Sequence, residues 1–279
     1  MFKNKNILIT GGSGTLGQGL LERLTEFKRL VVFSRSQTNQ HELMSLYPKV
    51  EFVLGDIRDI LSVKRAVTGM DIVIHAAAFK YIDIGEQQPR ECVMTNILGS
   101  LNILEAVEEA QQAEVCLGIS TDKAIYPTSV YGCTKHIMEK LFSEANRRSR
   151  KTKYCCIRYG NIKNSVGSVF SIWQKQKDQG LPITLTDPNM TRFFSTVNEM
   201  VSFIFYTINN TKGGEVFVKQ LPSFKMGDLA NSYADGKKIK IIGVRKGEKL
   251  HETLVADYEG EEYISGVSFN EGKVIILKL

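Results

Sequence analysis

The stretch ITGGSGTLGQGLLERL, Ile9–Leu24, decides the fold. Gly11, Gly14 and Gly17 follow a short apolar run, NILIT at residues 6–10, and stand where an amphipathic helix begins, with Leu16, Leu20, Leu24 and Phe27 at helical spacing. Glycines there permit a tight turn and bring backbone N–H groups and the helix N-terminus against a pyrophosphate. A bare glycine pattern also serves as a structural turn, but a strand before it and a helix after it are the context of a dinucleotide-binding signature. Gly11, Ser13, Gly14, Thr15, Leu16 and Gly17 are therefore candidate cofactor-binding residues.

Outward from this turn, strand and helix patterns alternate. LVVF at 30–33 is followed by VEFVL at 50–54, a helix over about 60–68, DIVIHAAA at 71–78, a helix near 94–112 and VCLGIS at 115–120. Tyr131 then opens a helix running to about Asn146, and YCCIRYG at 154–160 supplies another strand. Such alternation predicts an α/β fold, a doubly wound parallel sheet of the Rossmann kind. Beyond Asn161 the turn residues thicken, with Pro182, Pro188, Gly213, Gly214 and Pro222, and the alternation weakens. The expected organisation is a dinucleotide-binding Rossmann domain over 1–160 and a smaller carboxyl-terminal α/β substrate-binding lobe over 161–279. The lobe's strand candidates are EVFVK and KIKIIGV, and a helix at about 196–209 is expected to pack back on the first domain. Two such lobes enclose a cleft.

The 279 residues and 43% hydrophobic content suit one large domain with an appended lobe. No apolar run approaches the ~18 residues of a membrane helix, and the amino terminus MFKNKNILIT lacks a signal-peptide pattern, so a cytoplasmic protein without a membrane partner is expected. Five cysteines without a C-x-x-C pair and four widely separated histidines predict reduced thiols and no metal site. The net charge of +6 includes a basic run, Arg147, Arg148, Arg150, Lys151 and Lys153, with no interleaved aromatic residues, which reads as a solvated helix end rather than a nucleic-acid platform. A mildly basic surface also attracts an anionic metabolite.

Enzymes that prefer NAD place an acidic residue at the end of the second strand, where this chain has Ser34 and Arg35. Arg35 suits a 2'-phosphate and so favours NADP, although an arginine there is also compatible with an ordinary surface residue. Asp56 and Ile57, after the third strand, are placed to flank an adenine, and Ala76–Ala78, with Ala77 at the centre, leave room for ribose or pyrophosphate. Those small residues equally fit plain helix–sheet packing. Ser120 and Thr121 end a strand at the carboxyl edge of the sheet, and Tyr131 and Lys135 share one face of the next helix. A free tyrosine titrates near pH ~10; the charge of Lys135 and an oxidised nicotinamide are expected to draw Tyr131 toward working pH.

The motifs TGGSGTLG, SRSQ, GDIRD, HAAAFKYI, TNILGS, STDKAIYPTSVYGCTK, RYGN, MTRFF and GVRKGEKLHE span residues 10–252. On these motifs the chain resembles the extended short-chain dehydrogenase/reductases, and among them the inverting UDP-N-acetylglucosamine 4,6-dehydratases of bacterial surface-sugar and flagellin-sugar biosynthesis. Relatives acting on dTDP-glucose carry Asp then Glu where this chain has Asp122 and Lys123. The resemblance implies NADP, a UDP-sugar substrate, a homo-oligomer and a catalytic group of Thr121, Asp122, Lys123, Tyr131 and Lys135. In that scheme Tyr131 takes the 4-hydroxyl proton, Lys123 abstracts the C5 proton, Asp122 helps the C6 hydroxyl leave as water, and reprotonation from the opposite face inverts C5. A lysine titrating near ~10.4 is a poor base unless burial and nearby cations lower it. Lys135 and the nicotinamide are expected to do so, whereas an ionised Asp122 works the other way and is expected to be protonated or turned aside when the proton is taken.

The same likeness places Lys80 between cofactor and substrate and Asn161 at the sugar diphosphate. Arg192 and Arg245 are the candidate cations for the diphosphate, and Glu248 is a candidate partner of a ribose hydroxyl. Two departures stand out. IKNSVGS follows RYGN, so Val166 occupies the place of an expected arginine, and the chain ends sooner after HETLVADYEG than relatives do. Two competing readings are a UDP-sugar 4-epimerase, which needs no base at C5, and a noncatalytic NADP-binding sensor.

Overall fold

The computed structural model describes residues 2–259, 261–262 and 274–278. The first half alternates as expected: β1 (Asn6–Thr10), α1 (Thr15–Arg23), β2 (Arg29–Ser34), α2 (Gln37–Leu46), β3 (Glu51–Leu54), α3 (Ile60–Val67) and β4 (Ile72–His75). There follow α4 (Ile82–Gln87), α5 (Pro89–Val93), α6 (Gly99–Ala110), β5 (Val115–Ile119), α7 (Val130–Arg148) and β6 (Lys153–Arg158). A π-helical turn, Met94–Leu98, joins α5 to α6, and a 3-10 turn, Asp122–Ala124, follows β5. Helices α4 and α5 have no counterpart in the sequence reading, and neither has α2. Its two buried residues, Gln40 and Leu43, give too weak an apolar stripe to announce a helix.

Strands β1–β6 pair in parallel in the order β3-β2-β1-β4-β5-β6. The chain runs from β1 to one edge and returns to lay β4 on the other flank of β1, so a crevice opens between the carboxyl ends of β1 and β4, where such sheets bind ligands. Alternate residues of β1 enter opposite layers. Ile7 and Ile9 pack with Leu16, Leu20 and Phe203, whereas Leu8 packs with Val31, Val73 and Ile103. Each such fully buried side chain contributes roughly 1.5–3 kcal/mol.

The second half is less separate than its sequence implies. It comprises β7 (Asn161–Ile162), α8 (Val169–Asp178), β8 (Ile183–Leu185), β9 (Thr191–Ser195), α9 (Val197–Asn210), β10 (Glu215–Lys219), β11 (Ser223–Lys225), α10 (Met226–Ala234), β12 (Ile239–Ile241), β13 (Glu261–Glu262) and β14 (Val274–Lys278). The EVFVK strand, β10, pairs in parallel with β6 and joins the large sheet instead of the lobe, and β14 and β13 extend that sheet antiparallel. An all-buried strand cannot be assigned to a layer from its own residues, because its partners lie far away in sequence. KIKIIGV yields only the three-residue β12, paired with β8. Helix α9, begun by a Thr196–Glu199 capping box, lies on α1, where a Cβ on Gly19 would stand 2.1 Å from Val197. The lobe's own core gathers around Trp173, with Ile183, Phe194 and Met226.

Candidate active site

A cleft of about 550 Å³ opens at the carboxyl ends of β1, β2, β4 and β5. Of the residues expected to hold a cofactor, Gly11, Ser13, Gly14, Thr15, Leu16 and Gly17 line it together with Ser34 and Arg35, Ile57, and Ala77 and Lys80 after β4. Gly11 has φ of +68°, and a Cβ there would stand 2.7 Å from the Ala77 backbone, so the turn closes on the tip of β4 only with glycine. Gly14 caps α1 without a side-chain acceptor, and the first helical turn holds no acidic residue. The N–H groups at that end are left for an anion, so the site fits the diphosphate of a dinucleotide.

The adenosine end carries no carboxylate on the tip of β2. The Ser34 hydroxyl accepts from Ser13 Oγ at 3.1 Å and from Gln40 Nε2 at 2.9 Å. Asp56 departs from its expected place: its carboxylate accepts from Arg58 Nε at 2.9 Å and Nη2 at 2.7 Å and faces Arg35 at 3.6 Å, and it does not line the cleft. Burial works to raise the Asp56 carboxyl, but Arg58 and Arg35 outweigh it and hold it below its ordinary range.

A second cleft of about 300 Å³ lies toward the lobe, lined by Tyr81, Trp173, Arg192, Arg245 and Glu248 among others. Lys80, Lys123, Asn161, Ile162 and Ser165 line both clefts. The two spaces therefore meet at Lys123, which the 3-10 turn sets on α7. A Cβ on Gly132 would stand 2.3 Å from the Lys123 carbonyl oxygen, so the close approach of turn and helix requires glycine there. Helix α7 is capped by Ser129, whose side chain accepts from Gly132 N at 3.0 Å.

Asp122 is fully buried. Its Oδ1 accepts from Thr121 Oγ1 and Lys123 Nζ, each at 3.0 Å, and its Oδ2 has no hydrogen-bond partner among the described residues. Lys123 Nζ also stands 3.6 Å from Glu252, which is paired with Lys249 at 2.8 Å. Burial works to lower the Lys123 ammonium, but Asp122 and Glu252 outweigh it and hold it above its ordinary value. The protein's own groups thus keep Lys123 charged, the reverse of the lowering expected from sequence, because the nearest fixed charges are carboxylates rather than Lys135. Glu252 was not singled out in the sequence, although it closes the motif GEKLHE.

Tyr131 lines the first cleft together with Thr121. Burial, then Asp122, push its phenol up. Lys135 lies on the same helix but lines neither cleft; its Nζ meets Met138 Sδ at 3.0 Å, and burial lowers it to about 8. The lowering of Tyr131 by Lys135 expected from sequence is thus not found: burial of the phenol, then Asp122, raise it, and Lys135 is turned to Met138.

The candidate substrate cations are already engaged. Arg192 donates to the carbonyl oxygens of Thr191, Lys249 and Leu250 at 2.8, 2.9 and 3.1 Å. Arg245 pairs with Glu248 at 2.6 Å. Where a cation was expected, Val166 is exposed; its carbonyl accepts from Lys80 Nζ at 2.8 Å and its N–H donates to Thr15 Oγ1 at 3.3 Å.

A dinucleotide-sized crevice at the switch point of a parallel sheet, with Tyr131 and Lys135 on the helix beside it, defines a Rossmann-type short-chain dehydrogenase/reductase. The chain belongs to the family described as polysaccharide biosynthesis protein, whose profile matches residues 7–269. It is 39% identical over 277 residues to the inverting UDP-N-acetylglucosamine 4,6-dehydratase of Campylobacter jejuni, covering 94% of this chain and 83% of that one. It is 38% identical over 270 residues to a protein of Rickettsia canadensis named UDP-glucose 4-epimerase, covering 92% of this chain and 79% of that one. The X-ray structure of Pen from Bacillus thuringiensis superposes with a TM-score of 0.92 at 32% identity, over 99% of this chain and 88% of Pen. Among the described residues no helix is long and apolar enough to cross a membrane, and no cluster of His, Cys, Asp and Glu suits a metal ion.

Proposed function

We propose that the protein is an NADP-dependent, inverting UDP-N-acetylglucosamine 4,6-dehydratase, a carbon–oxygen lyase that works as a homo-oligomer. Residues 1–160 bind the dinucleotide and 161–279 most of the sugar nucleotide. The observation that carries this reading is Lys123, which lines both clefts beside the buried Asp122 and within the same cleft as Tyr131. An epimerase needs no such pair next to the sugar.

A dinucleotide held by the glycine turn and Ser34 and Arg35 would supply the hydride acceptor and donor for the oxidation at C4 and the reduction at C6. Tyr131 removes the 4-hydroxyl proton, helped by Thr121. The resulting ketone acidifies C5–H, and Lys123 as the free amine takes that proton. The C6 hydroxyl leaves with a proton as water, assisted by Asp122, and C5 is reprotonated from the opposite face. The net change is loss of one water and formation of a 4-keto-6-deoxy sugar of the L-arabino series. Lys80 and Asn161 stand at the junction where the sugar and its diphosphate pass, with Arg245 and Glu248 beyond them.

The test is incubation with UDP-N-acetylglucosamine and NADP in heavy water, with Lys123→Ala beside the wild type. Loss of water and deuterium at C5, both lowered by about 10²-fold or more in the variant, are expected of a general base. The likeness to the Rickettsia protein supports one other reading, a UDP-sugar 4-epimerase. A C4 epimer of unchanged mass, formed equally by the Lys123 variant, establishes that reading instead.

A further inference from the structure

Three charged groups act on Lys123: Asp122 on its own turn, Glu252 on the carboxyl-terminal segment and Arg192 on β9; Lys80 after β4 and the neutral phenol of Tyr131 on α7 line the same cleft. Among the described residues, Glu252 is the one carboxylate that reaches Lys123 from outside its own turn, and its side chain is almost wholly buried. The segment that carries Glu252 is pinned on both sides. Thr191 N donates to the Leu250 carbonyl at 3.0 Å, Arg192 holds the carbonyls of Lys249 and Leu250, and Thr191 Oγ1 and His251 Nδ1 lie 2.9 Å apart. Lys249 Nζ donates to the Ile125 carbonyl at 2.7 Å while it pairs with Glu252 at 2.8 Å. Arg192, a candidate for the substrate diphosphate, is thereby engaged in holding this segment.

From this geometry we infer that Glu252 is a positioning residue for Lys123: it draws the ammonium toward the junction of the two clefts and sets the pH at which Lys123 becomes a free amine. Lys249 is the counterweight. It shares the Glu252 carboxylate and so limits how firmly that carboxylate holds Lys123, while Arg192 adds a cation that opposes the ammonium. The inference rests on Lys123 as the base of the proposed reaction, yet its test needs no turnover.

The apparent pKa of Lys123 is read by acylation with trace acetic anhydride across a pH series, with the labelled peptide quantified by mass spectrometry. In Glu252→Gln the midpoint moves down by about one pH unit, a roughly tenfold rise in labelling at a fixed pH below it. In Lys249→Met, which leaves Glu252 in place, the midpoint moves up. Unchanged midpoints, or shifts of the same sign in both variants, overturn the proposal. If the midpoints move in opposite senses but no 4-keto sugar forms, the dehydratase reading fails and the hold of Glu252 on Lys123 stands. With activity present, Glu252→Gln also moves the acid limb of kcat/KM to lower pH, which a general loss of packing does not do.

Discussion

At the scale of single residues, His75 shows how a buried polar group joins the parts of the site. It ends β4, its Nδ1 lies 2.9 Å from Thr10 Oγ1 at the end of β1, and its Nε2 lies 3.2 Å from Ser100 Oγ on α6. Burial, with the charge of Lys135, drives its pKa down to about 3. The unfolded imidazole titrates near ~6.5, so between these values the unfolded chain binds more protons than the folded one. Stability from this residue is therefore complete above about pH 6.5 and is lost progressively as the pH falls toward 3, by up to about 1.4 kcal/mol per pH unit. His75→Gln, which can pair with both hydroxyls without titrating, is expected to flatten the decline of the urea midpoint between pH 7 and pH 4. An unchanged slope would show that His75 is not the group responsible.

At the scale of elements, the turn that carries Asp122 and Lys123 depends on how two pieces of backbone meet. Helix α7 carries Tyr131 while the Asp122–Ala124 turn carries the proposed base, and both are set by the contact of Gly132 with the Lys123 carbonyl. The π-helical turn adds a third piece, since Asn96 accepts from Phe79 N at 2.7 Å and donates to the Phe79 carbonyl and to Thr134 Oγ1, each at 2.9 Å. The loop after β4 is in this way held to α7. Gly132→Ala forces turn and helix apart, so turnover is expected to fall by at least tenfold while dinucleotide affinity, measured by fluorescence titration, stays within about twofold; 1 Å misplacements of catalytic groups have effects of this size or larger. Equal loss of both would assign Gly132 to folding alone.

At the scale of the whole molecule, Arg158 binds the distant carboxyl-terminal segment to the first domain. Its guanidinium is fully buried, pairing with Glu139 of α7 at 2.7 Å and with Glu259 at 2.8 Å and donating to the Leu254 carbonyl at 2.8 Å. Glu139 also accepts from Ser120 Oγ at the tip of β5. The segment bearing Arg245, Glu248 and Glu252 is thus anchored a few residues further along the chain. Arg158→Met removes the guanidinium that pairs two buried carboxylates and is expected to destabilise the fold by about 3–5 kcal/mol in guanidinium unfolding. Adding Glu139→Gln and Glu259→Gln to that variant is expected to restore most of the loss, because the penalty lies in the unpaired charges.

The amino-acid sequence by itself determined the alternation of strands and helices as far as β6, apart from α2, α4 and α5, the glycine turn that opens α1, and the placing of Tyr131 and Lys135 on α7, since each depends on neighbours within a few residues. It also brought Asp122 and Lys123 to notice beside that helix. Only the tertiary structure decided that β10 completes the first sheet, that Asp56 turns to Arg58, that Arg192 holds backbone instead of standing free, and that Glu252 reaches Lys123. Each of these is a pairing between residues remote in sequence, or a choice among several local partners for one charge. Burial and distance settle such choices. The charge state of Lys123 follows the same rule: burial works to lower its ammonium and Asp122 and Glu252 to raise it, and Glu252 stands 3.6 Å away although it is far distant along the chain.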